Sequence, residues 1–177
     1  MKRVVVTGMG IVSSLGNNQS DVLESLKKAR SGIEFSEKYA EMGLRSHVYG
    51  SISEIDTSDV IDRKMLRFMA DAAIYNAIAL DEAIKQSGLS PEIVSNKRTG
   101  LIMGSGGASN QNVVEAADIL REKVLKEWAL IVSPEPWVQQ LQPVFLPYLK
   151  LKVLIIQSVR PARQVLIVLV MPWNKYS

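Results

Sequence analysis

The sequence predicts an α/β fold in which helices pack on a mixed or parallel sheet. Two observations carry that expectation. Short β-branched or apolar runs end in glycine at Arg3–Thr7 and Thr99–Met103, and stretches with apolar residues near helical spacing lie between them. Strands that alternate with helices favour a layered α/β arrangement.

Taken in order, Arg3 to Thr7 predicts a buried strand, closed by Gly8 and Gly10. Ser20 can cap a helix whose Val22, Leu23, Leu26 and Ala29 share a face, with Gly32 as its stop. Residues 30–60 are turn-rich, with short strand candidates around His47–Ile52. Asp62 to Gln86 predicts one long helix. Its alanines, spread over several faces, suggest close packing by neighbours, and Ser87-Gly88 stops it. Thr99 to Met103 predicts a second buried strand that enters the loop Gly104–Gly107, and Val113 to Leu125 is helical again.

The chain has 177 residues, enough for one domain with a real core. It contains no cysteine, so disulfides, thiolate nucleophiles and zinc-thiolate sites are excluded. His47 is the single histidine, which excludes any site built from two, and a surface or strand-edge position is expected for it. Met65, Met69 and Met103 are expected in the core. The start, MKRVVVTGMG, lacks the long apolar run of a secretory signal, and no apolar stretch is long enough to cross a bilayer. A cytoplasmic protein is expected. A net charge of +3 invites a nucleic-acid reading, but the excess lies wholly after residue 126. Residues 1–126 hold 16 basic and 16 acidic side chains, and residues 127–177 hold five and two. Neither a nucleic-acid nor a membrane partner is expected.

Composition also changes abruptly near Lys126. All 11 glycines precede that point, and all three tryptophans and six of the seven prolines follow it. An evolved segment of this length needs glycine at turns, because glycine alone takes positive φ cheaply. Residues 1–126 therefore read as one domain and residues 127–177 as an aberrant tail with no defined fold. Prolines at 134, 136, 143 and 147 forbid a long helix there. Leu151–Ile156 and Val165–Met171 are apolar enough for strands but are expected to lack partners, as aggregation hazards rather than fold elements.

The string VVVTGMGIVSSLG looks like a dinucleotide-binding turn, but Ser13 stands where the third glycine is required. No nucleotide cofactor is expected. The same segment resembles the opening of the condensing enzymes of fatty-acid synthesis, the thiolase-like superfamily. GNNQSDVLESLKKARSGI, RSHVYG, IDRKMLRFMADAAIYNA, SGLSP and GLIMGSGG follow in order, and the last strings resemble the β-ketoacyl-[acyl-carrier-protein] synthase I branch. The resemblance covers roughly the first 126 residues.

It implies a partial thiolase-like fold, the first part of the N-terminal half, in an enzyme that dimerises with itself and meets an acidic acyl carrier protein. It implies acyl transfer to a cysteine, then decarboxylative Claisen condensation with malonyl-carrier protein. That chemistry needs a thiolate of lowered pKa, oxyanion donors and two histidines. With no cysteine, the chain has no catalytic residue to assign and is expected to be inactive, poorly soluble and open at its sheet edges. Arg63, Lys64 and Arg67 match positions where the family has basic residues facing the carrier protein; an ordinary solvated basic turn explains them equally well. Gly104, Ser105, Gly106 and Gly107 suit either an acyl-pocket or dimer-face loop or a tight strand-to-helix turn. A small non-catalytic binding module with a membrane-touching tail is the alternative, weakened by the tail's prolines.

The tail has a further property. New codons can be formed from the last base of one codon and the first two of the next. Trp128-Ala129 and Trp137-Val138 then force glycine, Met171-Pro172 forces alanine and Trp173-Asn174 forces glutamate. With permitted choices elsewhere, Lys126–Val138 becomes GVGAYSLTRAMG, Ser158–Gln164 becomes SSACAT and Val170–Tyr176 becomes NAMEQI. These resemble family strings, and SSACAT surrounds the family's nucleophilic cysteine, which would fall across Pro161-Ala162. Residues from about Lys126 onward are therefore expected to be out of frame.

Overall fold

The computed structural model describes residues 4–66, 69–96, 99–103, 114, 117–118, 121, 155–157 and 169–172. It divides into two compact units. One comprises Met1–Asp59 with Ile78–Gly88, the other Val60–Ala77 with Leu89–Ser177.

In the first unit, helix α1 spans Gln19–Lys27. Its cap is Asn18, not Ser20: Asn18 is extended, and its side chain accepts from the Asp21 amide at 2.9 Å. This satisfies one of the amide donors left free in the first turn. The helix stops at Lys27, five residues before Gly32, and Ala29 just beyond it takes φ 50°. Ala29 N–H then donates to the Leu26 carbonyl and Arg30 N–H to the Ser25 carbonyl, which is Schellman closure without glycine. Gly32 serves packing instead, since a Cβ there would lie 2.3 Å from the Ser14 carbonyl oxygen. Of the expected α1 face, Val22 is buried while Leu23 and Leu26 are exposed.

Strands β1 (Ile33–Phe35) and β2 (Val48–Gly50) pair antiparallel, with Ile33 opposite Gly50 and Phe35 opposite Val48. Between them lies α2, Glu37–Glu41, capped by Ser36. Tyr39 and Tyr49 rings sit 5.8 Å apart. The strand expected near His47–Ile52 is thus present, and β1 is added to it.

The strand expected over Arg3–Thr7 is not formed. Residues 4–7 have no ladder, and Val4, Val5 and Val6 are 84%, 74% and 73% exposed. A β-branched run becomes a strand only where another strand meets its backbone groups. The residues that follow it, Gly8 to Ile11, lie instead against the second half of α4 (Asp71–Ser87). Leu80 on α4 is fully buried at 0% exposure. Leu80→Ala should lower unfolding stability by about 2–5 kcal/mol, read from the urea midpoint. Gly88, at φ 66°, ends α4 as expected.

In the second unit the expected helix over Asp62–Gln86 is broken. Helix α3 spans Arg63–Leu66, and α4 begins at Asp71. Met69 N–H closes a turn on the Leu66 carbonyl, and Ala70 supplies the first acceptor for the next helix through the Ala73 and Ile74 amides. At the interruption Met69 is buried, as are Ala73 and Ala77 of the same unit. Asn76 is buried too, with its Oδ1 lacking a hydrogen-bond partner. Helix α5 (Pro91–Val94) follows Ser90, with Pro91 in the first turn where its missing N–H costs nothing.

Strand β3 runs over Thr99–Met103, matching expectation, and Thr99 Oγ1 donates to the Ile93 carbonyl at 2.6 Å. It is flanked by β4 (Ile155–Gln157), parallel to it, and β5 (Leu169–Pro172), antiparallel to it. The sheet is therefore mixed. Ile155–Gln157 and Leu169–Pro172, which overlap the two stretches expected to lack partners, thus pair with β3, one on each edge. Residues 114, 117, 118 and 121 are helical, within the stretch expected to be so.

Candidate functional site

Of the basic trio, Arg63 and Lys64 lie exposed on the single-turn helix α3, and Arg67 falls outside the described residues. Asp62 organises that turn. Its Oδ1 accepts from the Lys64 amide at 2.7 Å, and its carbonyl accepts from the Met65 and Leu66 amides. The two cations thus start a short helix whose opening is fixed by an aspartate side chain. Each is free of ion pairing among the described residues, and both are exposed.

The loop Gly104–Gly107, with Ser105 and Gly106, lies outside the described residues; β3 ends at Met103, immediately before it. His47 is exposed, with its ring edge-on to Phe35 at 5.9 Å and its carbonyl accepting from Ser36 at 2.7 Å. It lies at the hairpin's end and, among the described residues, belongs to no group that could hold a metal ion. Among the described residues no group of acids, histidines or cysteines could hold a metal ion, and no helix is long and apolar enough to cross a membrane.

Sequence reasoning missed one polar constellation. Glu82 accepts from the Ile11 amide at 3.0 Å and from the Gln19 amide at 2.9 Å, while Gln86 accepts from the Met9 amide at 2.7 Å. Glu82 and Gln86 stand one turn apart on α4, a spacing that signals a shared polar face. Nothing in the sequence says what that face meets.

The partial α/β fold and its ordered string of motifs have a match. The family model described as beta-ketoacyl synthase, N-terminal domain, fits residues 1–136.

The chain belongs to the beta-ketoacyl synthase family.

It is 53% identical over 122 residues to the 3-oxoacyl-[acyl-carrier-protein] synthase 1 of Escherichia coli (strain K12), across 68% of this chain and 30% of that protein. The chain therefore spans about a third of the length of the curated relatives it matches. Among solved structures, the ishigamide ketosynthase/chain length factor superposes with a TM-score of 0.76 at 18% identity, over 89% of this chain and 40% of that one. A type II polyketide ketosynthase, solved in complex with its acyl-carrier protein, superposes at 0.63 and 19% identity, over 88% and 42%. These likenesses identify the fold as that of the thiolase-like ketosynthases, present here in part. The beta-ketoacyl synthase motif VVVTGMGIVSSLG acquires a structural meaning. Cβ atoms added at Gly8 and Gly10 would lie 2.1 Å and 1.7 Å from the carbonyl oxygens of Ala83 and Ala79. The glycines serve close docking on a helix.

Proposed function

We propose that the chain derives from a β-ketoacyl-[acyl-carrier-protein] synthase of fatty-acid biosynthesis, a cytoplasmic, dimeric acyltransferase and condensing enzyme, and that these 177 residues are themselves inactive. The observation that carries the proposal is the combination of family membership with an absent nucleophile. The chemistry is acyl transfer to a thiol, then attack on that thioester by the carbanion left when malonyl-carrier protein loses carbon dioxide. No cysteine is encoded, and one histidine cannot replace two. The forced glycine, alanine and glutamate codons support reading residues 127–177 as out of frame, with the cysteine codon lying across Pro161-Ala162. Sequencing the gene around codon 126 tests this. A continuous family-like reading in the other frame is expected, and codon choices incompatible with SSACAT end the proposal.

The partner is an acyl carrier protein, with Arg63, Lys64 and Arg67 as the steering cations. The names of the relatives and the carrier-bound ketosynthase support that choice, as does the solvent exposure of Arg63 and Lys64. Replacing Arg63 and Lys64 together by glutamate should weaken carrier-protein binding by about tenfold at low salt, with the difference shrinking as salt is raised. Surface plasmon resonance at two ionic strengths checks it, and unchanged affinity removes the idea. The Gly104–Gly107 loop is proposed to let backbone approach the acyl chain or the dimer partner.

A further inference from the structure

We infer that Glu82 is a positioning residue that pins both feet of the arch Val12–Asn18 at once, and through the arch holds the base of the β1–β2 hairpin. Its two carboxylate oxygens are divided between the arch's feet: Oε2 accepts from Ile11 N–H at 3.0 Å and Oε1 from Gln19 N–H at 2.9 Å. Ile11 immediately precedes the arch, and Gln19 opens α1. One half-buried side chain thus satisfies two backbone donors eight residues apart in sequence. A carboxylate suits this task, because it offers two acceptors and no donor.

The arch is closed internally as well. Ser13 and Gly16 exchange amide–carbonyl bonds at 2.9 and 3.1 Å, and the Leu15 carbonyl accepts from Ser25 Oγ at 2.7 Å. Its crown meets the hairpin through Ser14. Gly32 would place a Cβ 2.3 Å from the Ser14 oxygen, and Gly50 would place one 3.3 Å from Ser14 Cβ. Those glycines face each other near the hairpin base, where Gly50 pairs with Ile33. Asn17 adds a bond from Nδ2 to the Ser53 carbonyl at 3.1 Å. The hairpin, whose strand residues are all exposed, has its base seated on this arch.

Gln86 takes a different backbone donor and meets Gln19 only through its side chain. It accepts from Met9 N–H and exchanges side-chain amide bonds with Gln19 at 3.1 and 3.0 Å. The two side chains therefore make distinguishable predictions. Residue-resolved amide hydrogen exchange on the 177-residue chain is the test. Glu82→Ala should accelerate exchange at Ile11 and Gln19 together by at least about tenfold. Gln86→Ala should accelerate Met9 and leave Ile11 unchanged. Unaltered exchange at Ile11 and Gln19 in Glu82→Ala, or release of only one of them, overturns the assignment. If Glu82→Ala also accelerates the interior amides of α4, Glu82→Gln decides. It keeps one carbonyl oxygen and places an NH₂ group against the other donor, so one foot is expected to loosen while the other holds. Both feet loosening, or neither, would overturn the proposal.

Discussion

A Gly10→Ala chain will lose about 3 kcal/mol of stability, near the top of the range for overpacking, and will release residues 8–11 from α4. The added Cβ would stand 1.7 Å from the Ala79 carbonyl oxygen, 2.6 Å from its carbon and 3.0 Å from its Cα. These are helix backbone atoms, so no flexible side chain can swing aside. The segment must lift, and lifting it pulls Ile11 N–H away from Glu82, adding a lost hydrogen bond to the steric cost. Gly43 supplies the contrast. It sits at φ 68° with nothing within 4 Å, so Gly43→Ala should cost only left-handed strain, about 1–2 kcal/mol. Urea unfolding of both variants checks the order, and equal midpoints would show that residues 8–11 do not dock on the helix in solution.

The largest expected effect is all-or-none. Offered an acyl-carrier thioester, the 177-residue chain will bind no acyl group covalently. The product of the same gene, moved into the other frame after codon 126, will carry one on the new cysteine. The first expectation rests on the missing thiol and the second on the proposed origin of the tail. A thioester is formed by exchange with a thiolate, and serine, lysine and tyrosine offer no comparable nucleophile near neutral pH without an activating partner. Intact-protein mass spectrometry reads the mass of the acyl group directly. An acylated 177-residue chain would overturn its proposed inactivity, and a reframed product that stays unmodified would remove the proposed origin of the tail.

Some elements were legible because their causes are local. Thr99–Met103 is a strand as expected, Gly88 stops α4, and the α1 stretch is a helix. Propensity, capping chemistry and positive φ act within a few residues. Even locally, nearest-looking candidates misled. Ser20 was the expected cap and Gly32 the expected stop, yet Asn18 and Ala29 do that work. A cap is chosen by which side chain reaches a free amide, and a stop by which residue meets the closing bonds.

Other features could not be read because their causes lie far along the chain. The Val4–Val6 run has full strand propensity but no ladder, and its neighbour Gly10 packs on a helix about seventy residues later. The break between α3 and α4 interrupts a stretch whose apolar spacing runs on without a gap. The partners of β3 come from Ile155–Gln157 and Leu169–Pro172, stretches in which composition gave no reason to expect pairing. Of the candidate surface, Arg63 and Lys64 were named from sequence and stand exposed, but the Asp62 turn that presents them was not anticipated.

By itself the sequence determined the family, through an ordered series of motifs, and the absence of a thiol, through simple inventory. Both are properties of residue order and identity, which folding does not alter. Only the tertiary structure decided what the glycines and Glu82 are for. Close approach and hydrogen-bond pairing join residues distant in the chain, and such distances exist only after the backbone has been brought together.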